Sequence, residues 1–386
     1  GERLLGIEVE NLVLHRTTQE SAPLDFCRQL IAGLAADIGA TVRFDGEVLN
    51  RVDGNGFSFT MEPGGQLELA TEPCANLGQI DPTMSMVRAL VDARLSGTDY
   101  ELTSLGHAPV TPVEELGLLP RSRYRLMDAS MVTRGPLTRN MMRGTAGFQL
   151  AYDVEDREDA GRKLALLYRL APVMLALTAN SRMVAGIDSG YESFRHHVWL
   201  ETDHERVGVP EGCLHAETAI DGYKRFAREA TMLFLRRDGD LVEAPEQSLE
   251  AVVATGIVTG DDLELHLTSL FPFVRIRNYL EVRYLDAVAW PLARSVLALL
   301  SGIVYCPYAT RRAEELSESL VPQDPVQLRT LHENAARDGL EARTLDGVPF
   351  RELAREFLKC SEATIGSETC NWSEPGDLIQ VARHIG

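Results

Sequence analysis

The octapeptide Tyr279-Leu280-Glu281-Val282-Arg283-Tyr284-Leu285-Asp286 narrows what this chain can fold into. Its alternation sets Glu281 and Arg283 on one face of a strand, with Leu280, Val282 and Tyr284 on the other. Arg275 and Arg277 alternate just upstream, directly after the apolar Leu270-Phe271-Pro272-Phe273. Acid and base on the inward face of an apolar strand are costly unless they meet each other, a metal or phosphate. A sheet that buries such a strand must build a polar cleft against it, as a metal-nucleotide site requires.

Other strand-like stretches come early. Residues 3–14 alternate, with Glu8 and Glu10 on one face, and residues 40–44, 56–61 and 66–71 read as strands around a Gly64-Gly65 turn. Residues 24–38 have helical spacing, with Gly39 as C-cap. Helices over 83–95 and 160–180 and strands over 100–105 and 147–152 follow, separated by an arginine-rich connection over 121–140. Beyond Asp286 the pattern turns helical, over 291–303, 309–317, 325–338 and 350–359. Strands before helices argue for an α+β chain with a mostly antiparallel sheet, against a doubly wound parallel one. The expected division is a catalytic core over residues 1–303 and a helical region over 304–386 packed on it. The tail over 370–376 reads as surface packing.

A net charge of −19 makes nucleic acid and anionic membranes poor partners, so an anionic substrate needs a locally basic pocket. Lysine occurs only at Lys163, Lys224 and Lys359. GC-rich coding accounts for that bias; its consequence is that anions must be held by arginine forks, backbone amides or metal. The six cysteines show no C-x-x-C spacing, which disfavours zinc and redox motifs and fits a reducing cytoplasm. Cys360 and Cys370 are close enough in sequence to pair. No signal peptide or uninterrupted apolar 18-mer appears, and the chain opens at Gly1 directly before a strand, as one with a missing N-terminal segment does.

Four constellations could carry chemistry. Glu8-Val9-Glu10 places two carboxylates on one strand face, as a hard cation requires, although such a pair alone is usually a solvated face. Met61-Glu62-Pro63-Gly64-Gly65-Gln66-Leu67-Glu68-Leu69 reads as a hairpin with polar outer residues. Joined to Glu8 and Glu10, its Glu62, Gln66 and Glu68 complete five oxygen donors suited to Mg²⁺ bridging nucleotide phosphates. Arg143 and Gln149 flank a glycine-containing entry to a strand. Arg195 lies beside aromatics in Ser193-Phe194-Arg195-His196-His197-Val198-Trp199, where adjacent histidines on a strand face opposite ways and cannot share a metal. The chain lacks a G-x-x-x-x-G-K-[ST] loop, G-x-G-x-x-G, G-x-S-x-G and H-E-x-x-H.

Taken in order, these strings resemble the plant-type and actinobacterial glutamate–cysteine ligases, including the ligase that feeds ergothioneine synthesis. The resemblance runs from Gly6-Ile7-Glu8-Val9-Glu10 through Glu62 to Leu69, Arg123-Tyr124 with Met127, Thr145 with Gln149, and Ala179-Asn180-Ser181. It continues through Ser193-Phe194-Arg195 with Trp199, and His266-Leu267-Thr268 to Asp286. It implies a glutamine-synthetase-like fold, an antiparallel sheet forming a funnel flanked by helices. It further implies an ATP- and Mg²⁺-dependent ligase in which the γ-carboxylate of glutamate attacks the γ-phosphate and cysteine's amine takes the resulting acyl phosphate.

By matching position, the resemblance makes Glu8, Glu10, Glu62, Glu68 and Glu281 metal ligands. It gives Arg195, Arg283 and Gln149 catalytic roles and Arg275, Arg277, Arg143 and Gln66 nucleotide or substrate contacts. For Arg283 the competing reading is a buried pair with Glu281 or Asp286. The chain departs from the family pattern where Gly144 stands for an arginine, Gly147 for a threonine, Ala151 for an asparagine and Asn11 for a lysine. These changes point to altered amino-acid pockets. Two rivals follow: a ligase of the same family using another acid or amine, and a non-catalytic homologue that binds nucleotide or amino acid.

Overall fold

In the computed structural model, which describes residues 3–322, 324–365, 374 and 376–386, one antiparallel sheet organises the chain. Its strands are β1 (Leu5–His15), β2 (Thr41–Asp45), β3 (Val48–Asp53), β4 (Phe57–Met61), β5 (Leu67–Thr71), β6 (Tyr100–Thr103), β7 (Gly147–Tyr152), β8 (Val274–Ile276) and β9 (Leu280–Asp286). The order is β8-β9-β7-β1-β5-β4-β3-β2, and β6 pairs with the second half of β1. Every pairing in it is antiparallel. The α+β class and its antiparallel sheet are as the strand-then-helix pattern implies.

Period-two burial fixes which face is which. In β1, Leu5, Ile7 and Val9 are buried in the core, so Gly6, Glu8 and Glu10 must face the other way. The apolar face is covered by the helices Leu24–Ile38, Leu77–Leu95, Arg157–Thr178 and Trp290–Tyr305. Arg157–Thr178 is buried along most of its length, and Asp156 caps it by accepting from the Asp159 amide at 2.9 Å. Helices after residue 303, including Phe350–Glu362, add Phe350, Ala354 and Phe357 to the same core. Among the described residues no single helix is long and apolar enough to cross a membrane.

Several local expectations are corrected. Residues 121–140 are not a connection but carry the helix Ser122–Met131 and the start of Thr138–Gly144. The segment read as a strand around Arg195 is the helix Phe194–Leu200, capped by Ser193. The helix expected from residue 83 begins at Leu77, with Pro82 inside it, and β3 was not anticipated. Cys360 is a free, buried thiol, whereas Cys306 is disulfide-bonded. Most of the tail over 370–376 lies outside the described residues.

Candidate active site

On the polar face of the sheet, direct cross-strand partners set Glu10 opposite Glu68, Glu8 opposite Gln149 and Arg275 opposite Glu281. Glu62 enters from the β4–β5 turn, where Gly65 takes a φ of +89° and donates its amide to the Glu62 carbonyl at 2.9 Å. At Gly64 a Cβ would lie 2.1 Å from the Arg143 carbonyl oxygen. Only glycine lets that turn press against the chain entering β7.

The resulting cleft encloses about 360 Å³. Glu8, Glu10, Glu62 and Glu68 form an acidic floor, and Arg121, Arg123, Arg275, Arg277 and Arg283 a basic wall. Tyr124, Met127, Met141, Met142, Trp199 and Phe271 also line it and give it an apolar portion.

The carboxylates crowd one another. Burial raises Glu8, and Glu281 adds to the rise. Burial raises Glu10, although Arg195 and Arg283 and the Gly147 amide oppose it. Glu62 is pushed up to about 7 by burial and then by Glu10, and Glu68 well above the carboxylate range by burial, Glu8 and Glu62. Half-buried, mutually repelling carboxylates are an environment that a divalent cation stabilises.

The remaining expected residues divide. Glu281 lines an adjoining slot rather than this floor. Its oxygens accept from Arg275 at 2.7 and 3.1 Å and from Arg283 at 2.9 Å, with Arg277 at 3.3 Å. Burial works against its ionisation, but Arg275 and Arg283 overcome it and hold the carboxyl down at about 2. It sits as the partner of three guanidiniums, and Arg283 is paired with it rather than with Asp286. Gln149 links the two sides of the cleft: its Nε2 donates to Glu10 at 2.9 Å and its Oε1 accepts from Arg283. The Gln66 amide is spent on the fold, donating to the Thr145 carbonyl at 2.7 Å and accepting from the Gly64 amide at 2.9 Å.

Two arginines are not where the sequence reading put them. Arg143 turns out of the cleft to Asp128 at 3.1 Å and the Leu116 carbonyl at 3.3 Å, because it ends the helix Thr138–Gly144 instead of starting a strand. Arg195 lies beneath the cleft, buried, with Nη2 donating to the Arg283 carbonyl at 3.0 Å and Nη1 standing 3.9 Å from Asp286 Oδ1. It occupies the notch left by Gly147, where a Cβ would meet Nη2 at 2.4 Å. The Gly144 departure is filled likewise, since a Cβ there would lie 2.6 Å from His107 Nε2. Asn11 is buried and accepts from the Ser104 hydroxyl at 2.7 Å, outside the cleft.

Arg121 and Arg123 were missed as site residues. Arg121 bonds Asp45 at 2.7 Å and the Tyr124 hydroxyl at 2.9 Å, and Arg123 bonds the Thr268 hydroxyl at 2.8 Å. The apolar spacing Tyr124, Met127, Met131 was the signal for the helix that presents them.

Among the described residues no three His, Cys, Asp or Glu side chains close around a single point. The donor set nonetheless fits Mg²⁺, which takes one or two carboxylates and completes its shell with phosphate oxygens and water. Four half-buried carboxylates with raised proton affinity are the observation that supports this fit.

The model of glutamate-cysteine ligase family 2 (GCS2) matches residues 4–364. Chloroplastic glutamate–cysteine ligase B of Oryza sativa subsp. japonica is 27% identical over 390 residues, spanning 98% of this chain and 76% of that protein. The chloroplastic glutamate–cysteine ligase of Arabidopsis thaliana is 26% identical over 384 residues, spanning 98% and 72%. Among solved structures, a glutamate–cysteine ligase from Francisella tularensis in complex with AMP superposes with a TM-score of 0.61 at 10% identity, covering 100% of this chain and 81% of that one. A bifunctional glutathione synthetase from Pasteurella multocida gives 0.53 at 13% identity, over 99% and 47%. At those identities the structural likeness is one of fold.

Proposed function

The chain belongs to glutamate-cysteine ligase family 2, and we propose that its cleft carries out ATP-dependent formation of γ-glutamylcysteine from glutamate and cysteine. The observation that carries this reading is the juxtaposition in one cleft of four mutually repelling carboxylates and a wall of arginines. Glu8, Glu10, Glu62 and Glu68 would hold Mg²⁺. When bound, the metal neutralises polyphosphate charge and polarises the transferred phosphoryl group.

The chain's own residues then divide the work. Arg277 is the most exposed of the arginines around Glu281 and faces the cleft, suited to an incoming phosphate. Arg283, fixed by Glu281 and Gln149, supplies a preorganised cation beside Glu10. Arg275 is saturated by Glu281 and backbone carbonyls, so it holds that carboxylate in place rather than taking ligand. Arg121 and Arg123 stand across the cleft as candidates for a substrate carboxylate. The γ-carboxylate of glutamate attacks the γ-phosphorus and displaces ADP. The cysteine amine then attacks the acyl phosphate and displaces phosphate. Cytoplasmic action is part of the proposal; it rests on the free thiols of Cys27, Cys74, Cys213 and Cys360, and the Cys306 disulfide weighs against it.

Phosphate release from Mg-ATP, measured with glutamate and a panel of amines, tests the reading. Turnover that requires glutamate and cysteine together supports it. Turnover only with another acid or amine transfers the reaction to that pair, and ATP binding without turnover on any pair overturns catalysis.

A further inference from the structure

The helix Phe194–Leu200 puts Arg195 and Trp199 one turn apart on a single stripe, Arg195 beneath the cleft and Trp199 in its wall. Seven residues are too few to fix a helix by themselves, since isolated helices shorter than about 12–15 residues are marginal in water. Its place must be imposed by its neighbours. One of them comes from far along the chain: the helix Pro325–Asp338 runs beside it in the opposite direction and grips it at three levels.

At the start, the Glu192 and Ser193 amides donate to the Arg337 and Ala336 carbonyls at 3.2 and 2.8 Å. Those carbonyls lie in the last turn of Pro325–Asp338, where a helix offers them no partner of its own. At the end, Arg329 Nη1 donates to the Leu200 carbonyl at 3.2 Å and Nη2 to Glu201, while Glu333 holds Nε at 2.7 Å. Between the two, His196 Nε2 and His332 Nδ1 stand 3.2 Å apart, with the rings stacked at 5.2 Å. Both rings pack on Phe273, at 4.7 and 4.8 Å, and the Phe273 carbonyl accepts the Arg283 amide at 2.9 Å.

The histidine pair is the informative contact. Both rings are buried, and burial pushes His332 down to about 3 and His196 well below its ordinary value. At neutral pH both are uncharged, so one ring donates to the other across the gap. The outer nitrogens, His196 Nδ1 and His332 Nε2, have no hydrogen-bond partner among the described residues. Leaving them so is costly, and two apolar side chains of similar volume would fill the space without that penalty. What the pair adds over an apolar contact is direction: a ring-to-ring bond has one register, whereas an apolar contact can slide.

We propose that His332 is a positioning residue for the ligase reaction, setting through His196 where Arg195 and Trp199 stand. The inference rests on the ligase reading above. It also carries the catalytic unit past the expected division at residue 303, because Pro325–Asp338 holds a wall of the cleft in place. The carboxylates proposed to hold Mg²⁺ come from β1, β5 and the β4–β5 turn, none of which this clamp touches. Loosening it therefore changes turnover and spares nucleotide binding.

The test compares His332→Phe, which fills the space without the bond, with His332→Asn, whose amide stands where Nδ1 does. Each is read by kinetics on Mg-ATP, glutamate and cysteine, by calorimetric titration with Mg-ATP, by denaturant melts and by Trp199 emission. Subtracting the spectrum of the matching Trp199→Phe protein isolates that emission. His332→Phe should lower kcat at least about tenfold per folded molecule, leave the Kd for Mg-ATP within about twofold and shift Trp199 emission. His332→Asn should recover kcat to within about threefold of wild type, with wild-type emission. A folded His332→Phe protein with wild-type kcat and emission overturns the proposal. So does a loss of turnover that only tracks stability in both variants, which is what plain packing gives. Where His332→Phe fails to fold, Arg329→Gln decides from the partly exposed end of the clamp. It should lower kcat several-fold and shift the same emission, and unaltered values overturn the clamp. If no acid and amine pair gives phosphate release, the ligase reading fails, whereas Trp199 emission still reports whether His332 sets the helix's place.

Discussion

Glu10 and Glu68 are direct partners across β1 and β5, both projecting into the cleft. Directly opposed like charges destabilise a sheet by up to about 1 kcal/mol, more when buried. The fold tolerates that opposition because the site's work requires it. Glu68→Gln keeps the shape and removes the charge. In metal-free protein it should raise the thermal midpoint, while turnover with Mg-ATP falls by a factor of about 100 or more. Glu62→Ala should likewise abolish turnover with the fold intact. Near-wild-type activity in either variant would sink the metal assignment.

Glu62 should also leave a signature in pH. Its carboxyl is pushed up from 4.5 to about 7, by burial first and by Glu10 second. With a folded-state value above the unfolded one, the native protein binds the proton more tightly between those two values. This group therefore contributes stability that is fully present below pH 4.5 and lost as pH rises through about 7. Metal removes the repulsion, so Mg²⁺ should stabilise the protein more near pH 8 than near pH 5. Melts in chelator and in Mg²⁺ at both pH values give the comparison; equal shifts would contradict it.

Much of this site was legible because strand periodicity is short. The alternation of Leu5, Ile7 and Val9 with Gly6, Glu8 and Glu10 decides a face before any tertiary contact is known, and the same holds for Glu281 and Arg283. What alternation cannot show is which neighbour a charge will meet. Glu281 read as a fifth metal ligand, but strand order brought Arg275 beside it and closed its oxygens. Helices that bury few residues were harder still. Ser122–Met131 buries little beyond Tyr124, Met127 and Met131, and Phe194–Leu200 is seven residues long, so neither offered a window in which helical spacing outweighs its polar residues. Arg143 and Arg195 were misplaced because each sits at the end or start of a seven-residue helix, Thr138–Gly144 and Phe194–Leu200, too short to display helical spacing.

Gly147 shows how a departure from a family pattern can be structural. Its missing side chain is the space in which the buried Arg195 guanidinium lies, 2.4 Å from where a Cβ would be. Gly147→Thr restores the family's residue and forces that guanidinium to move, with overpacking expected to cost about 1–3 kcal/mol. Because Arg195 opposes the rise in Glu10's proton affinity, turnover should fall as well. Denaturant melts and phosphate release would show both effects, and a variant as stable and active as wild type would mean that Arg195 has room the structure does not reveal.

Asp286, at the end of β9, holds the segment that delivers Arg195. Its Oδ2 accepts from the Asn180 amide at 3.0 Å and the Ser181 hydroxyl at 2.7 Å, and its Oδ1 from the Ser193 hydroxyl at 2.9 Å. Ser193 in turn accepts the His196 amide at 3.1 Å and so caps the helix bearing Arg195 and Trp199. Arg195 Nη1 and Nε have no hydrogen-bond partner among the described residues, which leaves Asp286 as the nearest compensating charge. Asp286→Ala removes three acceptor contacts and strands a buried cation, an expected loss of about 3–5 kcal/mol. Asp286→Asn keeps the shape but not the charge and should cost less. If the residue only positions the helix, the two variants should lose turnover in proportion to stability and leave AMP affinity unchanged in the folded fraction. A full loss of turnover in a stable Asp286→Asn protein would instead give the carboxylate's charge a part in catalysis.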